Sequence, residues 1–493
     1  MSVPTSSTRS SRRLPSHDTR LSMMRVIIAW AFGAAFFNII MGPVYVAFAR
    51  KIGANDFILG VLGAALPAMS FLQVVAARVL ERTGQPKRQM LVAGLIGRSL
   101  WVVAALAPLA SQRFPQVIPP DWVLNIVIGS VVLSGVFQAF TGPAFFTWIG
   151  ELVPSRVRPV FFARRMQMGT LGALSVILLA SYFADNYPTL AVYSTILAIG
   201  AVAGVLDIAF FFGVKQPPNV PAPQSEMPPL LPSLLEPLRD RAVRNFLFFV
   251  SLLGMAYGTM GPFIAVHSLE FLGLSKMQTS LLTNVGPLIG ITLTSRFWGE
   301  QIRRYGNRPI MRMSSMCLLV VPILWLLTTP STWLLLAPTL FLSGMMFCSI
   351  ELANQNLITS LSPHISRGTM TAVVSIFGGL SFAIGAVAAG RVSFALEGKT
   401  LQLFGMTFVN HHAVFVMSMA ARAVNAFWVA PRLQEPTATS TRDAMRETWR
   451  DVMPTLARHT TQFVTEPPLL SKGSRRAGRK KRKLRVMKRA NRK

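Results

Sequence analysis

The tripeptide Met41-Gly42-Pro43 returns later in the chain as Met260-Gly261-Pro262, and the sequence around it returns as well. Three further matches follow in the same order: Pro67 with Pro287, Arg82-Thr83-Gly84 with Arg304-Tyr305-Gly306, and Leu133-Ser134-Gly135 with Leu342-Ser343-Gly344. The spacing between partners drifts only by lengths typical of loops. The matches therefore indicate two copies of one structural unit.

Both copies are strings of apolar runs. The chain is 52% hydrophobic and 14% charged, with a mean hydropathy of +0.46, whereas soluble proteins carry roughly 25% charged residues. A water-soluble fold of this length has too little interior for so much apolar surface. We expect an all-α integral membrane protein, because a lipid-exposed strand would leave its backbone groups unpaired.

Twelve apolar runs are long enough to cross a bilayer core of ~30 Å and predict transmembrane helices, numbered here 1 to 12. They are residues 25–48, 57–77, 90–110, 122–149, 168–184, 189–214, 244–267, 278–298, 311–329, 333–358, 368–390 and 412–430. The repeat divides them into two pseudo-symmetric six-helix bundles, 25–214 and 244–431. A proline-rich linker, 215–243, with a short surface helix near 230–240, joins the bundles.

The basic residues predict the orientation in the membrane. One set of loops holds six: Arg50, Lys51, Arg113, Lys276, Arg391 and Lys399. The opposite loops and the tails hold several times as many, and basic loops stay in the cytoplasm. We therefore expect an inner-membrane, multi-pass protein with two cytoplasmic tails, 1–24 and 432–493.

The C-terminal tail has two parts. Residues 440–458 predict an amphipathic helix that lies on the membrane surface. Residues 475–493 hold twelve Lys or Arg and no acid, which favours binding to anionic lipid head groups over RNA phosphates. No DNA partner is expected, and we expect a monomer.

The loop after helix 2 carries the most specific motif. Residues 77–85 read Ala-Arg-Val-Leu-Glu-Arg-Thr-Gly-Gln, and the second copy, 299–308, reads Gly-Glu-Gln-Ile-Arg-Arg-Tyr-Gly-Asn-Arg. Over residues 25–431 the chain resembles a major facilitator superfamily (MFS) transporter, whose motif here is Gly-x-Leu-x-Asp-Arg-x-Gly-Arg-Arg/Lys. The first copy lacks the first Gly and the final Arg, and the second lacks the acid. Helix 4 has no Arg and helix 5 no Gly-Pro, so no subfamily is assigned.

The resemblance implies a cytoplasmic gate at this motif. Its residues are Glu81, Arg82, Gly84, Gly299, Arg304 and Gly306. Glycine permits the tight turn, and the carboxylate pairs with an arginine or a helix N-terminus of the opposite half. The alternative is that the basic residues only determine topology.

The resemblance also implies that helices 1, 4, 7 and 10 line a central cavity. Asn38, Gln138, Tyr257, Glu351 and Asn354 are polar residues near the midplane of these helices, and we take them as substrate-cavity candidates. Ordinary interhelical hydrogen bonding is the alternative for each. Aromatic and methionine residues of helices 4, 7 and 10 are either an adaptable cavity wall or plain core: Phe137, Phe140, Phe145, Phe146, Trp148, Met255, Met260, Met345 and Met346.

Glu351 is the sharpest candidate. A carboxylate within the bilayer costs a few kcal/mol unless it is paired or protonated, which suits a proton-coupling or substrate-amine site. A structural pair with a loop arginine is the alternative. Asp207, Arg98 and Arg422 lie in helices that the family places at the periphery, so we expect packing, or anchoring at the membrane interface.

No nucleotide-binding loop, metal-binding motif or paired nucleophile and base is present, so we expect no enzyme, cofactor or metal. His411-His412 is predicted in an outer loop without other ligands. The lead hypothesis is a secondary active transporter that moves a small solute by alternating access, driven by a proton or solute gradient. The alternatives are an amphiphile or lipid flippase, and a docking or assembly protein on the same fold that moves nothing.

Overall fold

The computed structural model describes residues 16–154, 157–216, 230–361, 367–403 and 405–435, together with 444, 446–448 and 450. Within these residues, twelve long helical segments follow the twelve predicted spans. Eleven of them are long and apolar enough to cross a membrane. The remaining one is helix 8, which contains a turn of π-helix. The prediction of an all-α membrane protein is confirmed.

The first half contains helices 1 to 6. Helix 1 comprises Ser16–Ile40 and Pro43–Lys51; helix 2 comprises Asp56–Ala68, a 3₁₀ turn Met69–Phe71, and Leu72–Thr83; helix 3 is Pro86–Arg113, helix 4 Pro120–Leu152, helix 5 Arg158–Asn186, and helix 6 Leu190–Ala209 with a 3₁₀ turn Phe210–Gly213.

The second half contains helices 7 to 12, preceded by helical turns Leu230–Leu235 and Glu236–Arg239. Helix 7 is Arg241–Glu270; helix 8 comprises Lys276–Ser280, the π turn Leu281–Val285, and Gly286–Tyr305; helix 9 comprises Asn307–Cys317 and Val320–Leu327; helix 10 is Leu336–Ser360, entered through the 3₁₀ turn Trp333–Leu335; helix 11 is Arg367–Ala395; helix 12 comprises Asn410–Val424, the π turn Asn425–Val429, and the 3₁₀ turn Ala430–Arg432. Strands β1 (Leu401–Leu403) and β2 (Met406–Phe408) form a small hairpin before helix 12.

The repeated tripeptide behaves differently in its two copies. Gly42 is extended (φ −91°, ψ 175°), and Pro43 starts a new helical segment, so the predicted continuous span 25–48 is broken. Proline has no N–H to continue the ladder of hydrogen bonds, so a break is favourable at this position. Pro262 instead lies inside the unbroken helix 7.

Other repeated residues make equivalent contacts. Gly135 of helix 4 packs on the backbone of Ala65 and Leu66 in helix 2. Gly344, its match in helix 10, packs on the backbone of Pro287 in helix 8. Small residues at both crossings let the helix backbones approach closely. The two halves are therefore alike in packing as well as in sequence.

The helices end at two faces. We call the side where Gly84 and Gln85 join helices 2 and 3 the tail face, because Ser16 begins and Arg432 ends the bundle there. The opposite side, where residues 52–55 join helices 1 and 2, is the far face. Residues 436–443, 445, 449 and 451–493 lie outside the described part of the chain, as do most of the predicted amphipathic helix and all of the basic stretch.

The two halves meet along helices 2 and 11. On helix 11, Gly379, Ala383, Ala386 and Gly390 recur every three or four residues and therefore share one face. A Cβ atom on Gly60 of helix 2 would lie 2.5 Å from the carbonyl oxygen of Ala386. We call this contact the glycine seam. It runs from Asp56 at the far face to Ser70, and the continuation of helix 2, Leu72–Thr83, packs against helix 4 of its own half.

Candidate functional site

Charged and polar side chains join the two halves at the far face. Arg50, at the end of helix 1, donates from Nε to Glu270 Oε1 of helix 7 at 2.7 Å. Its Nη2 atom also pairs with Asp56, the first residue of helix 2. Arg50 thus connects its own half to the opposite one.

Asp56 reaches three partners in the second half. Ser393 donates its hydroxyl to Asp56 Oδ2, Asn410 Nδ2 donates to the same oxygen at 2.7 Å, and His411 Nε2 lies 3.3 Å from it. The Asp56 side chain is only 1% exposed, so these partners replace water around its charge. We call Arg50, Asp56, Glu270, Ser393, Asn410 and His411 the far-face gate.

This arrangement corrects the prediction for His411-His412. The two residues do not lie in an outer loop. They lie in the first turn of helix 12, both are buried, and His411 faces Asp56 while the His412 ring packs against Phe271.

A second connection between the halves lies nearby. The Asp185 carboxylate, near the end of helix 5, accepts hydrogen bonds from the backbone N–H groups of Lys276 and Met277 at 2.8 and 2.9 Å. The Lys276 ammonium lies 3.3 Å from the same carboxylate. Ser181 and Ser280 form a buried hydrogen bond of 2.8 Å one turn deeper. In the described part of the chain, the hydrogen bonds that join the halves thus lie toward the far face.

Apolar packing closes the same side. Phe48 and Leu59 of the first half share a buried cluster with Phe263, Val266 and Val414 of the second. Phe48, Phe263 and Val266 are completely buried. The contacts between the halves in the described part of the chain are therefore concentrated at the far face and along helices 2 and 11.

The structure brings two of the five cavity candidates together. The Tyr257 ring packs edge-on against Phe347, and the Glu351 carboxylate lies close enough to Tyr257 to interact with it electrostatically. Glu351 accepts a hydrogen bond of 2.8 Å from Gln355, and no loop arginine pairs with it among the described residues. The Tyr257–Glu351 pair is a polar patch on helices 7 and 10.

The other three candidates are half-buried, and Asn354 lies one helical turn from Glu351 on helix 10. The Asn38 amide donates to the carbonyl oxygen of Ala34 in its own helix at 2.8 Å. Gln138 lies on helix 4. The Asn354 Oδ1 atom is buried and accepts no hydrogen bond from any described residue. An unpaired buried carbonyl group is costly, so a water or solute at Asn354 would stabilise the site.

Arg422 belongs with this patch, which the sequence analysis did not foresee. Its guanidinium is buried, lies 4.9 Å from the centre of the Tyr257 ring, and donates to Ser418 and the Leu318 carbonyl. Anchoring at the membrane interface is therefore wrong for Arg422. The sequence offered one indication of this contact: Tyr257, an aromatic residue that can pack against an arginine, lies on a helix of the same half.

The first half holds its own buried charges. Arg98 and Asp207 are both buried and lie 3.5 Å apart, with the Arg98 guanidinium 4.0 Å from the Phe36 ring. Arg165 of helix 5 stacks on Trp30 at 3.9 Å. Of the two roles expected for Arg98 and Asp207, packing within the bundle is therefore correct and anchoring at the membrane interface is wrong.

Most of the proposed aromatic and methionine wall is core. Phe145, Trp148, Met260, Met345 and Met346 are all buried within the two bundles. Phe146, at 69% exposed, is the clear exception. The apolar-cavity interpretation is therefore wrong for these five residues.

The residues of the predicted cytoplasmic gate lie at the tail face. Glu81 pairs with Arg78 of its own helix at 3.3 Å, and Arg304 pairs with Glu447 of the C-terminal segment at 2.8 Å. Gly84 (φ 59°) and Gly306 (φ 93°) adopt left-handed backbone conformations that favour glycine. Gly299 lies within helix 8 with open space at its Cβ position.

A cavity of about 510 Å³ opens beside this motif. It lies inside the second half, between helices 8 and 10 and the chain after helix 12, and Arg303, Asn356 and Glu435 contribute to its lining. None of its lining residues belongs to the first half. Among the described residues, no group of His, Cys, Asp and Glu side chains is arranged to hold a metal ion.

Comparison with known proteins gives a family and a fold. Residues 26–386 match the sequence model of the Major Facilitator Superfamily. A variant of the nucleoside transporter NupG is 15% identical with a TM-score of 0.63, covering 84% of this chain and 100% of that one. A POT family transporter in complex with 5-aminolevulinic acid is 13% identical with a TM-score of 0.62, covering 86% and 99%.

A third solved structure is a bacterial homolog of the human lysosomal transporter Spinster, in an inward-facing and unoccupied conformation. It is 14% identical with a TM-score of 0.55, and the alignment covers 90% of this chain and 99% of that one. No individual curated protein matches the chain.

Proposed function

Because the chain belongs to the Major Facilitator Superfamily and is a multi-pass membrane transporter of that family, we propose that it moves a small polar solute by alternating access between its two halves. The observation that carries the proposal is the unequal closure of the two faces. The far-face gate is bonded across the halves, whereas at the tail face Glu81 pairs with Arg78 of its own helix and Arg304 with Glu447 of the C-terminal segment. One face must open as the other closes for a solute to cross.

The proposed cycle exchanges one set of contacts for another. Opening of the far face separates Arg50 from Glu270, Asp56 from its partners in the second half, and Asp185 from Lys276. Closure of the tail face brings the first-copy motif, with Glu81 and Arg82, against the second half. The motif then acts as the cytoplasmic gate that the family resemblance implies.

The solute class follows from the polar residues of helices 1, 4, 7 and 10. Asn38, Gln138 and Asn354 offer amide groups, and the Tyr257–Glu351 patch adds a hydroxyl group and a carboxylate. Burial of the five aromatic and methionine residues favours a polar solute over an amphiphile. The neighbours of known structure include a nucleoside transporter and a transporter holding 5-aminolevulinic acid, so hydrogen-bonding metabolites of that size are the first solutes to test.

Glu351 is the proposed proton-coupling residue. It lies near Tyr257, no described basic residue forms an ion pair with it, and proton binding would neutralise its charge as the halves move. The distribution of basic residues supports a cytoplasmic tail face, which makes the described conformation inward-open. Protons would then enter the protein from the far face.

The test has two steps. A thermal-stability screen of the purified chain against nucleosides, amino acids and related metabolites selects a solute, because a ligand bound to the folded state raises the midpoint. Uptake into proteoliposomes then measures accumulation driven by a pH gradient and, separately, exchange of labelled for unlabelled solute at equal pH.

Glu351→Gln removes the titratable group at constant shape. We expect gradient-driven accumulation to fall about tenfold or more while equal-pH exchange persists, because the amide carries no proton. Glu397→Gln, an exposed residue of the far-face loop, is the matched control. Unchanged accumulation by Glu351→Gln would exclude proton coupling through this residue, and no uptake of any solute by wild-type protein would argue against transport itself.

A further inference from the structure

A groove on the outside of the first half has the chemistry of a lipid site. It has a volume of about 470 Å³ and lies at the tail-face ends of helices 3 and 6. Its rim includes Lys87 and Arg88, and its wall includes Leu91, Val92, Leu95 and Phe212. The groove is thus basic at the tail face and apolar toward the middle of the membrane.

The apolar wall faces outward. Val92 is 52% exposed and Phe212 is 58% exposed, on helices that cross the membrane. Helices 3 and 6 pack against each other at this position, and Leu91 closes the bottom of the groove between them. Bilayer lipid is therefore the natural occupant of this wall.

The protein satisfies only some of the hydrogen-bond donors of the basic rim. Lys87 Nζ donates to the carbonyl oxygens of Phe212 and Val214, both at 2.8 Å, which leaves one of its three N–H bonds. Arg88 is exposed and has no hydrogen-bond partner among the described residues. The residues that line the groove include no acid.

The corresponding corner of the second half is different. Gln85 corresponds to Asn307 in the repeat, since Arg82-Thr83-Gly84 matches Arg304-Tyr305-Gly306. Asn307 Nδ2 and the backbone N–H of Arg308 both donate to the Glu435 carboxylate at 2.7 Å. The chain thus supplies an anion, Glu435, at this corner of the second half, whereas the residues that line the groove of the first half include none.

We propose that the groove binds one anionic phospholipid of the tail-face leaflet. Arg88 and the remaining Lys87 N–H bind the phosphodiester, and the upper part of one acyl chain lies against Val92, Leu95 and Phe212. Arginine suits this role because its planar fork donates two hydrogen bonds to a phosphate group. The lipid then supplies the anion that Glu435 supplies in the second half.

Native mass spectrometry of the full chain tests the proposal. The protein is purified in a neutral detergent and titrated with phosphatidylglycerol, with phosphatidylcholine of the same acyl chains, or with glycerol phosphate alone. We expect one phosphatidylglycerol to stay bound at ionic strength that screens loose association with the basic tail. Equal retention of phosphatidylcholine would overturn the proposal, as would displacement by an equal concentration of glycerol phosphate.

Two variants locate the lipid, and the basic tail is the same in all of them. Arg88→Gln should weaken retention of this phosphatidylglycerol about tenfold. Val92→Trp, which fills the groove at unchanged charge, should also release it. Arg113→Gln, at the far-face end of the same helix, is the matched control and should bind as wild type. Retention by both groove variants, or equal loss in the control, would place the lipid elsewhere.

Discussion

The two faces of the molecule use charged residues in opposite ways. The far face has few basic residues, yet Arg50 and Lys276 bind acids of the opposite half. The tail face has many, yet Glu81 pairs with Arg78 of its own helix and Arg304 with Glu447 of the C-terminal segment. The number of charges at a face therefore says little about where the halves are held together.

The difference separates two roles of basic residues. Charges that determine insertion act on each loop separately, so their number matters and their partners do not. A contact that holds the halves together needs an acid on one half and a base on the other. The positions of these charges therefore matter, and the total number of charges does not. Breaking the contacts between the halves one at a time, with a tail-face pair as the comparison, separates the two roles.

The largest effect is expected at Asp56. Asp56→Ala leaves Arg50, Asn410 and His411 without their shared acceptor, and loss of a buried charged partner costs about 3 kcal/mol. Since 1.4 kcal/mol is a factor of ten, the ratio of far-face-open to far-face-closed protein should rise roughly a hundredfold. The measurement is the rate at which a maleimide labels Val266→Cys, which is completely buried in wild type, in a background of Cys317→Ala and Cys348→Ala.

Asp56→Asn is the control for shape. It retains the size and one acceptor oxygen but loses the charge, so its labelling rate should fall between those of wild type and Asp56→Ala. A rate equal to wild type in both variants would mean that Asp56 does not hold the far face closed.

The glycine seam should give the next largest effect. Gly60→Ala places a methyl group against the Ala386 carbonyl of the opposite half, and overpacking costs typically 1–3 kcal/mol. We expect labelling of Val266→Cys to rise about tenfold. Gly129→Ala in helix 4, where a Cβ atom meets nothing within 4 Å, is the matched control. The same rise in both variants would show that the seam is not a tight contact.

A smaller effect is expected at Glu270. Its pair with Arg50 is partly exposed (43% for Glu270 and 25% for Arg50), and such pairs contribute about 0.2–1 kcal/mol. Glu270→Gln should raise the labelling rate of Val266→Cys about two- to fivefold, and less at high salt. A hundredfold rise would mean that Glu270, not Asp56, is the principal far-face contact.

The smallest effect is expected at Glu447. Glu447→Gln breaks a charged pair of 2.8 Å with Arg304, but this pair joins the second half to the C-terminal segment, and both residues are about half exposed. Labelling of Val266→Cys should stay within about twofold of wild type, because neither partner crosses between the halves. A larger change would show that the C-terminal segment takes part in the conformational change.

The sequence predicted the fold because lipid leaves the backbone few choices. A long apolar run must become a helix, and matched residues such as Pro67 and Pro287 reveal that the helices form two similar halves. The same logic failed at Met41-Gly42-Pro43, where one copy breaks its helix and the other does not. Tertiary packing decides between the two outcomes, and the tripeptide does not contain that information.

The far-face gate was out of reach for a related reason. An internal repeat reports contacts that occur twice, once in each half, whereas Asp56 with Ser393 and His411 occurs once and depends on how the halves are turned. Tyr257 and Glu351 were accessible because they are polar residues in apolar helices. Arg422 was expected to have only a packing or anchoring role because helix 12 is peripheral in the family. Its side chain nevertheless points inward and reaches Tyr257.

The glycine seam also affects how fast the halves can move. Helices with large side chains interlock as ridges in grooves, so sliding requires many rotamers to change together. Along helices 2 and 11, glycines instead bring one backbone close to carbonyl oxygens of the other, at Ala386, Asp56 and Pro67. Weak Cα–H···O contacts at such approaches contribute about 0.5–1 kcal/mol each, and a neighbouring one can form as another breaks. The seam therefore adds little to the activation barrier for movement of one half past the other. The main barrier in the transport cycle should come from breaking the gate contacts at the ends of the seam.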